Sequence, residues 1–557
     1  MAATLFIAVA VLIMAALSMR VVNTNNQVTL NTQVKDCLEG AESAVAQAMA
    51  ELDNNQDGHI GLGTWTQPAW GTFAAPDSLP RFDSPGVAPL TLPGKRAVRY
   101  MAYVNNWETD GIDNNGDGNV DGAEETGYRG IYGIARYDDT PNSQGDVRFI
   151  ERRLEVIVRG VDINVWRNAI FAGNGQAGGL INGNVSIHGS VHLLGVNLLE
   201  GIQAIAALDL SGASLIHNNY TGLGADIRAR VPALPRTIYN GEDIETLNAN
   251  LRVRNGLVEL SGNSEIGEPD IRGNTTKETM DGTYVTDGWG GNATINDGDR
   301  GDPTSVFSDN GWDELYDLGT RVPMPMLADA WRDPGTGALR TNPATGQNYT
   351  HMDYFHSELT GTPYPGNLTI QANANFYYNA TRPADANPAN RQATDDYIFF
   401  NAATNVMQIN GQIEVDGDLE ITRGGGNDKT IHYTGRGALL VRGNAILNTD
   451  LYAQNANGTT ALSYPVNNCF GIMVEGDMTI GTLSQLTLMG AFYAQGRIIC
   501  SKQSLIMGTF VSNYFDMGGQ VPDIYQVPDL ATNLPLGMIG AYPILMIQRV
   551  SWREIAA

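Results

Sequence analysis

The sequence predicts an α+β protein: a long N-terminal helix packs on an antiparallel sheet, and a large all-β domain, a parallel β-helix or solenoid, follows. Three observations predict it. Residues 1–52 combine an apolar run with an apolar stripe at helical spacing. Residues 96–159 hold three segments rich in β-branched and aromatic residues. From about residue 165, one seven-residue motif that contains a glycine is repeated along the chain.

The first 19 residues carry no charge. As a helix they would be about 28 Å long, close to the hydrocarbon thickness of a bilayer. After Arg20, apolar residues recur every three or four positions, which gives one apolar helix face. They are Leu30, Val34, Leu38, Ala41, Val45, Ala48 and Leu52. The turn signal Asp53-Asn54-Asn55 follows, so we expect one helix over 1–52.

An uncharged half-helix followed by an amphipathic half resembles the N-terminus of type IV pilins, in particular PilX-like pilus proteins. In that family the apolar half lies in the inner membrane before assembly and in the filament core afterwards. The resemblance covers residues 1–52 and implies homopolymerisation with the help of a pilus assembly machinery. The implied assembly residues are Met1, Leu5, Phe6, Val9, Leu12, Ile13 and Leu17. Leu5 stands where the family has an acid, a departure common among minor and tip pilins.

Two other interpretations of this segment stay open. A single-span membrane anchor needs the same uncharged run. A secretory signal peptide would need a basic stretch before a shorter apolar core, and this sequence has neither.

Composition favours a turn-rich extracellular β protein, with 64 glycines and only 17% charged residues. The net charge of −26 argues against nucleic acid as a partner and suits a surface that binds divalent cations. Three cysteines are too few for a disulfide framework. Cys469 and Cys500 could pair in an oxidising compartment or be two buried thiols, and Cys37 is expected to be a packed thiol in the helix.

Residues 53–164 form the predicted first module. Strands are expected at 96–107, 127–137 and 147–159. A helix followed by an antiparallel sheet is again the pilin-like arrangement, and the stripe of the helix would cover that sheet.

The strongest chemical motif lies between the first two of these strands. It matches the calcium-loop pattern D-x-[DN]-x-[DN]-G-x₅-E at every position. Ca²⁺ takes six to eight hard oxygen ligands, and glycine at position 118 permits the tight turn that brings alternate side chains together. The predicted ligands are Asp113, Asn115, Asp117, Asn119, Asp121 and Glu124. Since strands flank the loop, we expect structural Ca²⁺ rather than a switch; a plain Asp/Asn/Gly turn is the alternative.

A weaker copy of the motif follows the helix. Its predicted ligands are Asp53, Asn55, Asp57 and His59, the last through its carbonyl. Thr64 stands at the closing position, so this segment either binds Ca²⁺ with help from elsewhere or only ends the helix.

The repeated motif is apolar-x-Gly-x-(apolar or Ser)-x-apolar, and it recurs at intervals of roughly 20 to 33 residues. Apolar positions are expected to point inward, and glycine to occupy a corner where a side chain does not fit. The repeated motif predicts solenoid segments over 165–267 and 401–512. A β-sandwich is the rival, but it would show regular strand spacing. The central glycines are Gly183, Gly189, Gly212, Gly262, Gly411, Gly417, Gly443, Gly476 and Gly496.

Residues 268–400 interrupt the repeat as a loop-rich insertion, either packed on the solenoid or forming a surface for neighbouring subunits, sugar or a host partner. Residues 513–557 read as a return strap and a C-terminal strand over 544–552. We expect that strand to pair beside residues 147–159, which would make the solenoid an insertion in the first module.

No catalytic constellation stands out, so we expect a protein that is not an enzyme. The acids Glu414, Asp416, Asp418 and Glu420 alternate along one repeat and are expected on a solvated face. The sequence thus predicts a structural subunit of an extracellular pilus-like filament, inserted in the inner membrane before assembly. The alternatives are a minor or tip pilin that acts as an adhesin, and a membrane-anchored β-helix protein that acts on polysaccharide.

Overall fold

The computed structural model describes most of the chain from residue 128 onward and parts of the segment before it. The described residues are 19–20, 24, 27–49, 70–72, 90–94, 98–106, 128–138, 149–162, 164–176, 181–183, 185–196, 206–296, 305–309, 324–331, 339–358, 361–424, 430–483, 485–517, 522–540 and 545–555.

The chain divides into two compact units. Unit 1 comprises Met1–Asp162 and Leu545–Ala557, and unit 2 comprises Ile163–Ile544. Unit 2 is therefore inserted between two strands of unit 1, the arrangement expected from the C-terminal segment.

Unit 1 holds helix α1, residues 27–49, and one six-stranded sheet. Its strands are β1 (Trp70–Thr72), β2 (Leu90–Thr91), β3 (Val98–Asn106), β4 (Tyr128–Asp138), β5 (Phe149–Asp162) and β34 (Leu545–Ile555). β3, β4 and β5 pair antiparallel in sequence order. The C-terminal β34 pairs antiparallel with β5, with Leu545 opposite Asp162 and Ile555 opposite Arg153, so the predicted pairing of the last strand is confirmed.

Unit 2 is built mainly of short strands. They are β6 (Ile170–Gln176), β7 (Ile181–Gly183), β8 (Ser186–His188), β9 (Val191–Leu193), β10 (Ala206–Gly212), β11 (Leu215–His217), β12 (Arg236–Tyr239), β13 (Glu242–Glu245), β14 (Asn250–Val253), β15 (Leu257–Leu260), β16 (Glu265–Ile266), β17 (Gly282–Val285), β18 (Trp289–Gly291), β19 (Ile295–Asn296), β20 (Val306–Phe307), β21 (Leu368–Gln371), β22 (Phe376–Asn379), β23 (Tyr397–Asn401), β24 (Val406–Val415), β25 (Leu419–Thr422), β26 (Thr430–Val441), β27 (Ala445–Asn448), β28 (Asp450–Ala453), β29 (Cys469–Val474), β30 (Met478–Ile480), β31 (Thr487–Cys500), β32 (Leu505–Asp516) and β33 (Asp523–Tyr525). Two short helices, α2 (Ala225–Arg228) and α3 (His351–Glu358), accompany them.

Most strands of unit 2 pair in parallel with a strand about 20 to 60 residues away, and β32 and β33 pair with the much earlier β6 and β8. One run passes in register from β24 through β26, β29, β31, β32, β6 and β9 to β14. One buried apolar residue of each strand stacks on the next, which builds a continuous core. That column is Ile413, Leu439, Ile472, Phe492, Phe510, Ile170, Val191 and Leu251.

A ladder of glycines and Asx side chains forms one edge of this stack. The amide of Gly443 donates to the carbonyl oxygen of Gly417 at 3.1 Å, and Asp418 Oδ1 accepts from the amide of Asn444 at 2.8 Å. A Cβ on Gly443 would lie 2.1 Å from that same Asp418 Oδ1. Gly417, Gly476 and Gly496 repeat the pattern, with Asx oxygens 2.2–2.4 Å from an added Cβ. Crowding by an Asx residue in the neighbouring turn therefore explains glycine at these four positions of the repeated motif.

The predicted fold class is wrong. Strands make up 47% of the described residues and helices 13%. A helix over the whole of 1–52 is not shown, since the described helical residues there are 19, 20, 24 and 27–49. Unit 2 is also not a uniform parallel solenoid, because β22, β23 and β24 pair antiparallel and β12 pairs with β13 as a separate antiparallel ribbon. The physical reason is that periodicity is strong in an amphipathic helix and weak in strands of two to four residues, so the sequence overweights the helix.

Candidate functional site: the apolar face of the N-terminal helix

The predicted assembly residues between positions 1 and 17 lie outside the described residues, as do the ten predicted calcium ligands at 53–59 and 113–124. The strands that flank the stronger calcium motif are described: Asn106, the last residue of β3, pairs with Arg129 of β4. Within the described part of the chain, no group of three or more His, Cys, Asp or Glu side chains could hold a metal ion.

Helix α1 packs its second half on the sheet of unit 1. Ala41, Ala44, Val45 and Ala48 are buried in one apolar cluster with residues of β3, β4 and β5. Three of these four belong to the predicted apolar stripe. Cys37 is also buried, as predicted, and its thiol donates to the carbonyl oxygen of Ile150 at 3.3 Å.

Two glycines let the helix approach the sheet closely. A Cβ on Gly40 of α1 would lie 2.9 Å from the Cβ of Ala135, and a Cβ on Gly133 of β4 would lie 2.4 Å from the carbonyl oxygen of Ala41. Cβ atoms do not approach other heavy atoms so closely, which means that glycine at both positions sets the distance between helix and sheet.

The first half of α1 is exposed although its apolar stripe continues. Of the stripe residues, Leu30 is 51% exposed and Val34 is half-buried. Val28, which is 58% exposed, lies on another face of the helix. The stripe thus extends beyond the sheet that covers Ala41, Val45 and Ala48. Leu30 and the half-buried Val34, in line with the buried part of the stripe, are therefore a candidate interaction surface.

A groove follows one side of α1. It has a volume of about 690 Å³ and runs between the helix, where Val45, Ala46 and Met49 line it, and β34, where Trp552 lines it. The Trp552 side chain is 47% exposed. A second groove of about 490 Å³ lies on the other side of the helix, towards Leu92. Both grooves share Glu42 and Ala46, so the solvent face of α1 is accessible from two sides.

Cys469 and Cys500 are free, buried thiols, so the structure contradicts their pairing. The register gives the reason. Gly471 of β29 pairs with Ala491 of β31, whereas Cys500 lies nine residues beyond Ala491 and pairs with Ile480. Burial raises the pKa of both thiols to about 12, which keeps them protonated and unreactive.

The acids expected on a solvated face divide into two kinds. Asp416 and Asp418 are exposed. Glu414 is 1% exposed, so the expectation was wrong for this residue. Arg442 Nε donates to Glu414 Oε1 at 2.6 Å, and His356 Nδ1 lies 2.8 Å from Glu414 Oε2. Glu414 is thus the centre of a charged cluster that joins α3 to the strands beneath it, a structural role that alternation along the strand did not reveal.

None of the described helices is long and apolar enough to cross a membrane. No family model matches the sequence, and no curated protein matches it either. Among solved structures, the chain is similar to the competence-associated pilin ComZ from Thermus thermophilus, with 17% identity and a TM-score of 0.38 over 94% of this chain and 98% of that chain. That likeness is too distant to place the chain in a family.

Proposed function

We propose that this chain is a pilin-like structural subunit of an extracellular, type IV pilus-like filament rather than an enzyme. The apolar stripe of α1 carries the proposal. Leu30 is exposed while Ala41, Val45 and Ala48 of the same stripe are buried on the chain's own sheet. Covering the exposed part of the stripe with other copies would remove apolar surface from water, which favours association.

The uncharged residues 1–19 support the same proposal from the sequence side. A run without charge is stable in lipid, and it is equally stable among identical runs, where van der Waals packing drives association. The proposed partners are therefore other copies of the chain, the inner membrane before assembly, and an assembly machinery that moves the subunit from one to the other.

Calcium is proposed as a structural cofactor of unit 1. The motif Asp113 to Glu124 connects β3 to β4, two long neighbouring strands under α1. Ca²⁺ bound there would cross-link the segment that connects these two strands and would stabilise the folded state of unit 1.

A second candidate function is that of a minor or tip pilin, present in few copies. The resemblance to pilins favours it: with Met1 aligned to the first residue of the family's helix, Leu5 replaces an acid, and the absence of that acid is common among minor and tip pilins.

The test compares two exposed leucines. Leu30→Glu places a charge on the proposed assembly face, and Leu536→Glu places the same charge on an exposed position of unit 2. Both side chains are more than half exposed, so neither change should unfold the protein. Filaments are sheared from cells that make the chain, counted by electron microscopy, and compared with the total cellular amount by immunoblot.

We expect Leu30→Glu to reduce sheared filaments at least ten-fold while the cellular amount is unchanged, and Leu536→Glu to have no effect. Equal filament yield from both variants would discard the assembly face. Finding the wild-type chain only at filament ends would replace the filament subunit with the tip subunit.

A further inference from the structure

Unit 2 has a polar cleft of about 420 Å³ that no step above uses. Four strands line it: β28 with Asp450 and Tyr452, β31 with Thr487, β32 with Leu505, and β33 with Asp523. Thr487 pairs with Leu505, and Leu505 pairs with Asp523. The amide of Thr487 donates to Asp450 Oδ1 at 2.8 Å. The cleft therefore crosses successive strands, and three strand spacings give it a length of about 14 Å.

The lining is rich in groups that bind hydroxyls. It contains two carboxylates, Asp450 and Asp523, and two amide side chains, Gln485 and Gln503. Carboxylate oxygens accept hydrogen bonds, and amides both donate and accept. Gln485 Nε2 lies 3.4 Å from Gln503 Oε1, which holds the two amides side by side along the cleft.

Asp523 stands out within the cleft. Its backbone amide donates to the carbonyl oxygen of Ser504 at 2.8 Å. Its carboxylate has no hydrogen-bond or ion-pair partner among the described residues. Burial raises the pKa of this carboxyl. A half-buried carboxylate without a partner is poorly solvated, so a ligand hydroxyl that donates to it would be favoured.

The charges of the lining restrict the class of ligand. Among the described residues that line the cleft there is no Lys, Arg or His, and the two charged groups are acids. Phosphates, sulfates and uronic acids would be repelled. The Arg230 guanidinium lies over the half-buried ring of Tyr452, 5.0 Å from its centroid, and the part of the ring that lines the cleft supplies an apolar surface at the same end as Asp450. An uncharged, hydroxyl-rich molecule that is longer than it is wide fits these features together.

We propose that the cleft across β28, β31, β32 and β33 binds an uncharged oligosaccharide. Asp523 and Gln503 contact its hydroxyls, and Tyr452 packs against a sugar face. The cleft lies entirely within unit 2, so the proposal does not depend on the filament function.

The experiment uses the full chain in detergent and isothermal titration calorimetry. The probes are cellohexaose, maltohexaose, laminarihexaose, mannohexaose and xylohexaose, with hexagalacturonate as the anionic comparison. The test variant is Gln503→Ala combined with Asp523→Asn. The control is Gln371→Ala, an exposed glutamine on β21 of the same unit that does not line the cleft. Thermal unfolding of each variant checks that unit 2 is intact.

We expect at least one uncharged hexasaccharide to bind, the double variant to weaken binding at least ten-fold, and the control to bind as the wild type does. Three results would overturn the proposal: no binding by any uncharged probe, equal binding by the double variant, or tighter binding of hexagalacturonate. Calcium titrated alone is the last arm. Heat that the double variant abolishes would make the cleft a cation site instead.

Discussion

The sheets of the two units obey different rules of connection. In unit 1, β3, β4 and β5 have 9, 11 and 14 residues and pair antiparallel in the order of the chain, and the C-terminal β34 adds to β5. In unit 2, most neighbouring strands pair in parallel across an intervening segment, and Phe510 of β32 pairs with the much earlier Ile170 of β6. Pairing of successive antiparallel strands can be read from the sequence around a turn, whereas parallel pairing across an intervening segment depends on which apolar columns fit together.

In both units a glycine lets two segments pack closely, but the atoms that crowd the glycine are of different kinds. Gly133 of unit 1 faces the backbone carbonyl of Ala41 in α1. Gly443 of unit 2 faces the end of the Asp418 side chain. A backbone inside a helix cannot move by itself, but a side chain can rotate away. The same substitution should therefore cost more in unit 1 than in unit 2.

The largest effect is expected for Gly133→Ala. Its Cβ would lie 2.4 Å from the Ala41 oxygen, so α1 must shift off the sheet. We expect unit 1 to lose about 3 kcal/mol of unfolding free energy, the upper end for overpacked cores. Denaturant unfolding with hydrogen exchange of β4 and β5 measures it. Gly94→Ala is the control: its Cβ meets nothing within 4 Å, and only backbone strain of about 1 kcal/mol is expected at its φ of 79°. Equal losses in both variants would contradict the close packing.

Calcium should distinguish the units almost as strongly. If the motif from Asp113 to Glu124 binds Ca²⁺, a concentration 100 times Kd stabilises the folded state by about 2.7 kcal/mol. We expect that gain in unit 1 and not in unit 2. Amide hydrogen exchange measures it: Ca²⁺ should increase the protection of β3 and β4 in unit 1 and leave that of β26 and β29 in unit 2 unchanged. Asp117→Ala should remove the gain. A gain that survives in this variant would assign the ion to another segment.

The sequence predicted the elements of unit 1 well because its signals are local. The strands expected at 96–107, 127–137 and 147–159 correspond to β3, β4 and β5. The pairing of the last strand with β5 was also predicted, from its strand pattern and the family resemblance. In the helix, the stripe from Ala41 to Ala48 was predicted to be buried, but where the sheet stops covering it is a property of the fold.

In unit 2 the repeated glycine motif predicts where strands lie but not which strands pair. The motif falls on or beside the strands, yet nothing in it indicates that β32 pairs with β6. The cleft could not be predicted for the same reason: Asp450 and Asp523 are 73 positions apart, and only the register of β28, β31, β32 and β33 brings them to one cleft. The buried Glu414 was missed because alternation gives the face of a strand but not what covers that face.

Gly443→Ala is the matched substitution in unit 2. Its Cβ displaces Asp418 Oδ1, and the bond from the amide of Asn444 to that oxygen is lost. We expect a loss of about 1.5 kcal/mol, the cost of one hydrogen bond with mild crowding. Asp418→Ala should cost about 1 kcal/mol, and the double variant should cost less than the sum because the clash is gone. Strictly additive losses, measured by denaturant unfolding, would show that the ladder is not the cause.

The smallest effect is a difference in pH response, and it should again fall on one unit. Burial, with the nearby Glu268 carboxylate as a lesser cause, raises the pKa of Glu278 in unit 2 to about 7. An unfolded glutamate titrates at about 4.3, so the folded state binds this proton more tightly. Its stabilising contribution is therefore complete below about pH 4.3 and is lost as the pH rises through about 7.

Unit 2 should accordingly be less stable at pH 7.5 than at pH 5, and Glu278→Gln, which stays neutral, should reduce the difference. In unit 1 the described groups with a shifted pKa are Tyr103 and Arg553, whose pKa values are raised further above this range. Denaturant unfolding at the two pH values measures the difference. Amide hydrogen exchange, corrected for intrinsic rates, reports on unit 2 through β16 and β17 and on unit 1 through β4 and β5. A pH response of unit 2 that is unchanged by Glu278→Gln would assign the response to another group and would contradict the raised pKa of Glu278.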